Sequence, residues 1–251
     1  MRMGWFRAVH VKSPEAQRLR LLLANRRLLK RKMVDIENHI RGSLRAFGLR
    51  IGHVARGGFE ARVLELTTET DGALQTFIHT MLQVWKAVIV GYNALHKTLI
   101  GIVAADPLCR RFMTVPGVGP IAALSFRAGV DDPLRFSSSS AVGAHFGLTP
   151  RKWQSDTIDI DGSITKQGDV DVRTALCEAA ASMLLRAKKW TAIRAWGLRI
   201  AQRTSMKNAM IAVARKLAVI LHRMWIDGTE FIFAKGAAVV EKRVLIGTIV
   251  E

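Results

Sequence analysis

Cysteine is nearly missing from this 251-residue chain: Cys109 and Cys177 are its only two, far apart, with no C-x-x-C pair and no histidine at ligand spacing. That excludes a disulfide framework and a zinc site, and leaves two thiols suited to a core in a reducing compartment. Acidic residues are scarce as well. Twenty Asp and Glu stand against 38 Lys and Arg, a net charge of +18, which suits a polyanionic partner, nucleic acid first. The start, Met1 to Arg7, lacks the apolar core of a signal peptide, and no charge-free apolar stretch approaches the roughly 18 to 20 residues of a membrane span. The expectation is a cytoplasmic protein with no membrane partner. A G-x-x-x-x-G-K-[ST] spacing is absent, so no NTP-binding loop is indicated. Solenoid repeats are absent too, and the seven histidines pair with no local Ser or Asp as a triad would.

What is present is ample apolar content, 49% of residues, and a lopsided charge distribution. Residues 1–56 hold 14 basic and 3 acidic side chains, 57–109 hold 3 and 5, and 110–251 hold 21 and 12. Two basic blocks therefore flank a neutral one. Ser13-Pro14-Glu15 reads as an N-cap, a proline at the first helical position and a first-turn acid. From there Leu19, Leu22, Arg26, Leu29, Met33, Ile36, Ile40, Ser43 and Phe47 alternate steps of three and four, a heptad seam ended by Gly48 and Gly57-Gly58. A second seam runs Leu74, Ile78, Met81, Trp85, Val88, Tyr92, Leu95, Leu99 and Ile102, closed by Asp106-Pro107. The two helices either fold back on each other or pair with a second copy, and a hairpin that also supports a dimer satisfies both. The fold expected is mainly α: a long coiled-coil helical hairpin over 13–109, then a compact, mostly helical domain over 110–233. Residues 1–12 precede the coiled coil, and 234–251 form a tail. Thr157-Ile158-Asp159-Ile160 alternates enough for a short β-hairpin arm. Two helical faces follow, one of Val172, Leu176, Ala179, Ala180, Met183 and Leu184 and one of Met210, Val213, Leu217, Ile220, Leu221 and Met224, ended by Asp227-Gly228.

Three motifs can handle a phosphodiester. Pro116-Gly117-Val118-Gly119-Pro120 resembles the hairpin of a helix-hairpin-helix module, in which Gly117 and Gly119 permit the turn and the next helix offers unpaired amides to a phosphate. An ordinary Gly-Pro turn between two helices fits equally well. Gly147-Leu148-Thr149-Pro150-Arg151-Lys152-Trp153-Gln154-Ser155 places a serine just after two cations. Cations stabilise charge on an attacked phosphate, but the segment holds no base to activate the hydroxyl, and a polar-loop serine is more often merely solvated. Asp156, Asp159 and Asp161 beside it could hold Mg²⁺ only in a particular loop shape. Gly162-Ser163-Ile164-Thr165-Lys166-Gln167-Gly168-Asp169 resembles an anion-binding loop opening a helix, with Thr165, Lys166 and Arg173 as phosphate contacts. Downstream, Arg186, Lys188, Lys189, Arg194, Arg199, Arg203 and Lys207 carry Trp190 and Trp196 among them, either a nucleic-acid groove or half-buried anchors.

In this order and spacing the motifs resemble the C-terminal domain of insertion-sequence transposases of the IS116/IS110/IS902 type: V-P-G-V-G-P-I-A-A, F-G-L-T-P-R-K-W-Q-S, G-S-I-T-K-Q-G-D with Arg173, and A-V-A-R-K-L-A from Ala212 to Ala218. The resemblance implies DNA strand cleavage and exchange, with Ser155 as nucleophile and Mg²⁺ held by an N-terminal RuvC-like domain through carboxylates. No segment of this sequence matches that domain, so the expectation is a truncated transposase that binds DNA at transposon ends and target, holds no cofactor itself and is not competent alone. A structured noncoding RNA is a second partner implied, with homo-oligomerisation through the coiled coil and a place at the bacterial nucleoid. The alternative is a non-catalytic binding or dimerisation module that regulates the full-length enzyme.

Overall fold

The computed structural model describes residues 9–155 and 158–233. The first eight residues, Asp156, Thr157 and the tail 234–251 lie outside the described residues, as do the side chains of Ile158, Asp159 and Asp161. The chain divides into two compact units, one of residues 21–99 and one of residues up to 20 together with those from 100 onward. This division differs from the boundaries expected at 13 and 109, because residues before position 20 are tied to the compact domain. Ser13 donates from its amide and hydroxyl to Asp131 at 2.8 and 2.6 Å, Lys12 donates to the carbonyl of Gly129, and Arg20 pairs with Asp169.

The unit of residues 21–99 is an antiparallel helical hairpin. Helix α1 spans Pro14–Ala46 and opens as expected, with the Ser13 hydroxyl accepting from the amide of Ala16 at 3.1 Å. Helix α3 spans Gly72–Ala105, and Asp71 caps it by accepting from the amides of Ala73 and Leu74. Between them lies α2, Phe59–Thr67, which the heptad pattern did not signal. Met33, Ile40 and Leu44 of α1 share one core with Leu74, Ile78, Leu82 and Trp85 of α3 and with Phe59 and Val63 of α2. The opposed direction of α1 and α3 is set by two cross-links: Trp85 donates to Glu37 at 3.1 Å, and Arg26 donates to the Tyr92 hydroxyl at 2.7 Å. The chain therefore folds back on itself. The expected seams hold through their middle and then slip by one residue, with Leu44 buried in place of Ser43, Leu82 more deeply than Met81, and Phe47 exposed. A straight helix repeats every 3.6 residues, so a strict seven-residue seam drifts off its face over several turns. By length and composition α3 is apolar enough to cross a membrane, which the search for charge-free runs missed because Lys86 and Lys97 interrupt it. In this structure its Lys86 pairs with Glu60 of α2.

The second unit is built from α4 (Pro107–Phe112), α5 (Pro120–Val130), α6 (Ser139–His145), strands β1 (Pro150–Ser155) and β2 (Ile158–Ile164), α7 (Val170–Leu185), α8 (Ala192–Arg203) and α9 (Met206–Asp227). The fold is mainly α, as expected. Helix α9 is its axis: Ala209, Val213, Leu217 and Leu221 are fully or almost fully buried, and α6, α7 and α8 pack around them. Helix α5 lies on α7, and the end of α4 is locked by Phe112, whose ring meets Phe126 edge-on at 5.5 Å and Trp225 at 5.8 Å. The expected faces of α7 and α9 are buried, apart from Met210, which is half-buried beside the deeper Ala209. Asp227 ends α9, and Gly228 follows with φ of +68°, the left-handed cap that glycine adopts most readily.

Candidate functional site

Two of the three motifs are stitched side by side. Helix α6 ends at His145, and Gly147 turns the chain with φ of +66° into β1, while β2 runs out into the 165–168 loop. The amide of Thr165 donates to the carbonyl of Thr149 at 2.9 Å, and that of Lys166 donates to the carbonyl of Gly147 at 3.2 Å. Side chains are excluded at two points of this seam. A Cβ on Gly147 would collide with the backbone of Gln167, and one on Gly168, whose φ is +69°, would collide with the carbonyl of His145. Arg173 closes the seam from below. It is only 9% exposed, and its guanidinium donates to the carbonyls of Phe146 at 3.0 Å and Gln167 at 2.7 Å. The residue expected to meet a phosphate therefore stands inside the protein as a clamp between the two motifs. Lys166 is exposed with φ of +57°, and the Thr165 hydroxyl is buried without a hydrogen-bond partner among the described residues. Asp169 caps α7 through the amides of Asp171 and Val172.

From this root an antiparallel two-stranded ribbon extends. Pro150 pairs with Ile164, Lys152 with Asp161, Trp153 with Ile160, Gln154 with Asp159 and Ser155 with Ile158, with a bulge in β2 where Gly162 and Ser163 oppose Arg151. The segment read as a polar loop is thus strand β1, and of the short strand expected at 157–160, residues 158–160 open a longer β2, Thr157 lying outside the described residues. Pairing places Ser155 at the free end, exposed, on the face it shares with Trp153 and Ile160. Lys152 and Gln154 occupy the opposite face. Trp153 is 56% exposed, yet its ring lies so close over Gly162 that a Cβ there would overlap it. Arg151 reaches the carbonyl of Thr165 at 3.5 Å and remains exposed.

The first motif joins α4 to α5. Gly117 has φ of +86°, and a Cβ on it would meet the carbonyl of Ala179 at 2.5 Å, so this glycine seats the turn on α7. Gly119 faces open space and precedes Pro120, the first residue of α5, with no side chain capping the helix amides. Polar groups cluster where the chain enters. Asp131, with φ of +65°, accepts from Ser13 and contacts His10 at 2.9 Å; burial would raise its carboxyl, but these hydrogen bonds hold it low. Burial, with Arg135 next, pushes the Lys12 amine down, and the same two causes push His145 down. His222 is fully buried. Its Nε2 donates to the carbonyl of Pro133 and its Nδ1 accepts from the Ser139 hydroxyl, both at 2.9 Å, the neutral tautomer that burial favours.

Among the described residues no three His, Cys, Asp or Glu side chains stand together as a divalent-metal site would require. The carboxylates that the sequence offered for Mg²⁺, Asp156, Asp159 and Asp161, lie outside the described side chains. Sequence reasoning also passed over α8 and a feature that counting reveals: from Ala179 to Ile226 there are ten Lys and Arg and no Asp or Glu.

Comparison with known proteins bears on the same region. Residues 109–195 match the family described as Transposase IS116/IS110/IS902 family. The chain is 30% identical over 219 residues to the "Transposase for insertion sequence element IS1111A" of Coxiella burnetii, covering 86% of this chain and 60% of that protein. It is also 30% identical over 224 residues to the "Probable family 20 transposase" of Pseudomonas aeruginosa, covering 86% and 65%. The chain spans about three fifths of the length of these curated relatives.

Proposed function

We propose that this chain, which belongs to the IS116/IS110/IS902 transposase family through residues 109–195, is the nucleic-acid-handling part of an insertion-sequence transposase, with Ser155 as the nucleophile of strand exchange. The observation that carries the reading is the position of Ser155: exposed, at the free end of a ribbon whose root is closed by Gly147, Gly168 and Arg173. A nucleophile must reach a phosphorus atom inside a bulky polymer, and a hydroxyl at the end of a narrow ribbon can do so. In the step proposed, the Ser155 oxygen bonds to phosphorus as the bond to the leaving sugar oxygen breaks. The hydroxyl proton goes to a base, and the leaving oxygen takes up a proton. Arg151, on the same strand, is placed to stabilise the charge that develops on the phosphoryl oxygens.

DNA is the partner the reading requires, and the charge of +18 supports it. A structured RNA is a second polyanion for the same surface. Mg²⁺ would be held outside the described residues, in the RuvC-like region implied by the resemblance. Self-association through the helical hairpin is supported by Phe77 and Val84, both exposed and one heptad apart on α3. The chain alone binds DNA with an affinity that falls steeply with salt, and it does not cut.

The test is Ser155→Ala, with strand exchange measured after the chain is supplied with the RuvC-like part. Exchange is expected to vanish while DNA affinity stays within twofold. If affinity and rate fall together, Ser155 binds rather than reacts, and the chain is a non-catalytic module. Mg²⁺-dependent, Ser155-dependent cleavage by the purified chain alone would overturn the claim that it needs a partner.

A further inference from the structure

The turn between α7 and α8 lies outside the ribbon and its root, and its chemistry is unusual. Trp190 is 61% exposed, immediately before Thr191, whose hydroxyl caps α8 by accepting from the amide of Arg194 at 3.1 Å. An exposed ring by itself is ordinary; what sets this one apart is how it is held. The ring is not loose. The Arg194 guanidinium lies 5.1 Å from its centre and is itself fixed, donating to the carbonyls of Leu184 at 3.3 Å and Ala187 at 2.7 Å. Those are carbonyls at the end of α7, so the helix terminus holds the arginine and the arginine backs the tryptophan. Arg186, Lys188 and Lys189 are exposed in the same turn.

The segment that carries this turn has no carboxylate of its own. The 48 residues from Ala179 to Ile226 contain ten cations and no acid, so the local field attracts polyanions at any register along α8 and the start of α9. An aromatic face on a fixed support, set in a basic field, is the arrangement that captures single-stranded nucleic acid: phosphates follow the charge and an unpaired base stacks on the ring. A base inside a duplex has both faces covered by its neighbours and cannot stack this way.

We infer that the α7–α8 turn is a stacking site for one unpaired base of a single-stranded nucleic acid, taken onto Trp190 and led in by Arg186, Lys188 and Lys189. The site rests on the reading of this chain as a nucleic-acid handler and is independent of any role for Ser155. The shared chemistry is an unpaired nucleotide, which a nicked or melted DNA end and an RNA loop both offer.

The experiment is fluorescence-anisotropy titration of the full chain and of Trp190→Ala with labelled oligo-dT, oligo-rU and a blunt duplex, at one fixed salt concentration. Trp190→Ala is expected to weaken oligo-dT, oligo-rU or both about tenfold while changing duplex affinity less than twofold. The single strand that suffers identifies the source of the nucleotide. Trp190→Phe should recover most of the loss, and the tryptophan quenching caused by that single strand in the unaltered chain should shrink in Trp190→Phe. Unchanged affinity of Trp190→Ala for both single strands, or an equal fall on the duplex, overturns the platform and leaves DNA binding standing. Failure of the unaltered chain to bind all three probes overturns the wider nucleic-acid reading along with it.

Discussion

At the free end of the ribbon Ser155 and Trp153 stand exposed on β1, which among the described residues pairs only with β2, whereas at its root Gly147 and Gly168 leave no room for another atom and Arg173 bridges two carbonyls. The two ends divide the labour. Backbone held by backbone at 147–149 and 165–168 fixes where the strands leave the domain, and the free end carries the groups that would meet a substrate. Stability and chemistry should therefore respond to different residues.

The largest structural effect is expected at the root. Gly168→Ala forces a side chain into a left-handed backbone and against the carbonyl of His145, which should cost about 3 kcal/mol or more and be visible as a fall of several degrees in Tm. An unchanged melt would mean that the seam relaxes freely. Arg173→Ala should cost about 2 to 3 kcal/mol, because the buried carbonyl of Phe146 and the partly buried one of Gln167 lose a charged donor, with denaturant midpoints as the measurement. A phosphate-contacting arginine would instead lower nucleic-acid affinity and leave the midpoint alone.

A smaller effect is set by pH. His222 and His145 both have lowered pKa values in the folded protein, so the unfolded chain binds more protons as pH falls through about 6.5 and stability is lost there. His222→Gln, whose amide can still donate to Pro133 and accept from Ser139, should flatten that loss between pH 7.5 and pH 5.5 at some cost near neutrality. An unaltered slope would assign the acid sensitivity to His145. Smallest of all are Ser155→Ala and Trp153→Ala, expected within about 0.5 kcal/mol of the parent in thermal melts, since both side chains are exposed. A loss comparable to that of Arg173→Ala would erase the distinction between end and root.

The start of α1 was legible because its signal is local: Ser13, Pro14 and Glu15 cap and charge the first turn wherever the chain goes next. The long apolar periods of α1 and α3 were legible for the same reason, and their slip at Leu44 and Leu82 was not, since drift depends on what the helix packs against. Strand β1 was invisible because Pro150-Arg151-Lys152-Trp153-Gln154-Ser155 shows no alternation and acquires its shape from pairing with β2. At the site, Gly147 and Gly168 could be read as turn formers, while Arg173 could not be told from a surface cation. Nothing in its neighbours along the chain reports two carbonyls that converge on it from Phe146 and Gln167.

The acid-free stretch from Ala179 to Ile226 has a consequence for folding itself. Like charges packed onto α8 and α9 repel one another, and that repulsion is stronger in the compact fold than in the extended chain. A polyanion that settles there acts as a missing counterion of the native state, so binding and folding are thermodynamically linked. Heparin or single-stranded DNA should raise Tm, sodium chloride should give a partial rise by screening, and the two together should not add. The native fold would then draw part of its stability from the polyanion proposed to bind it.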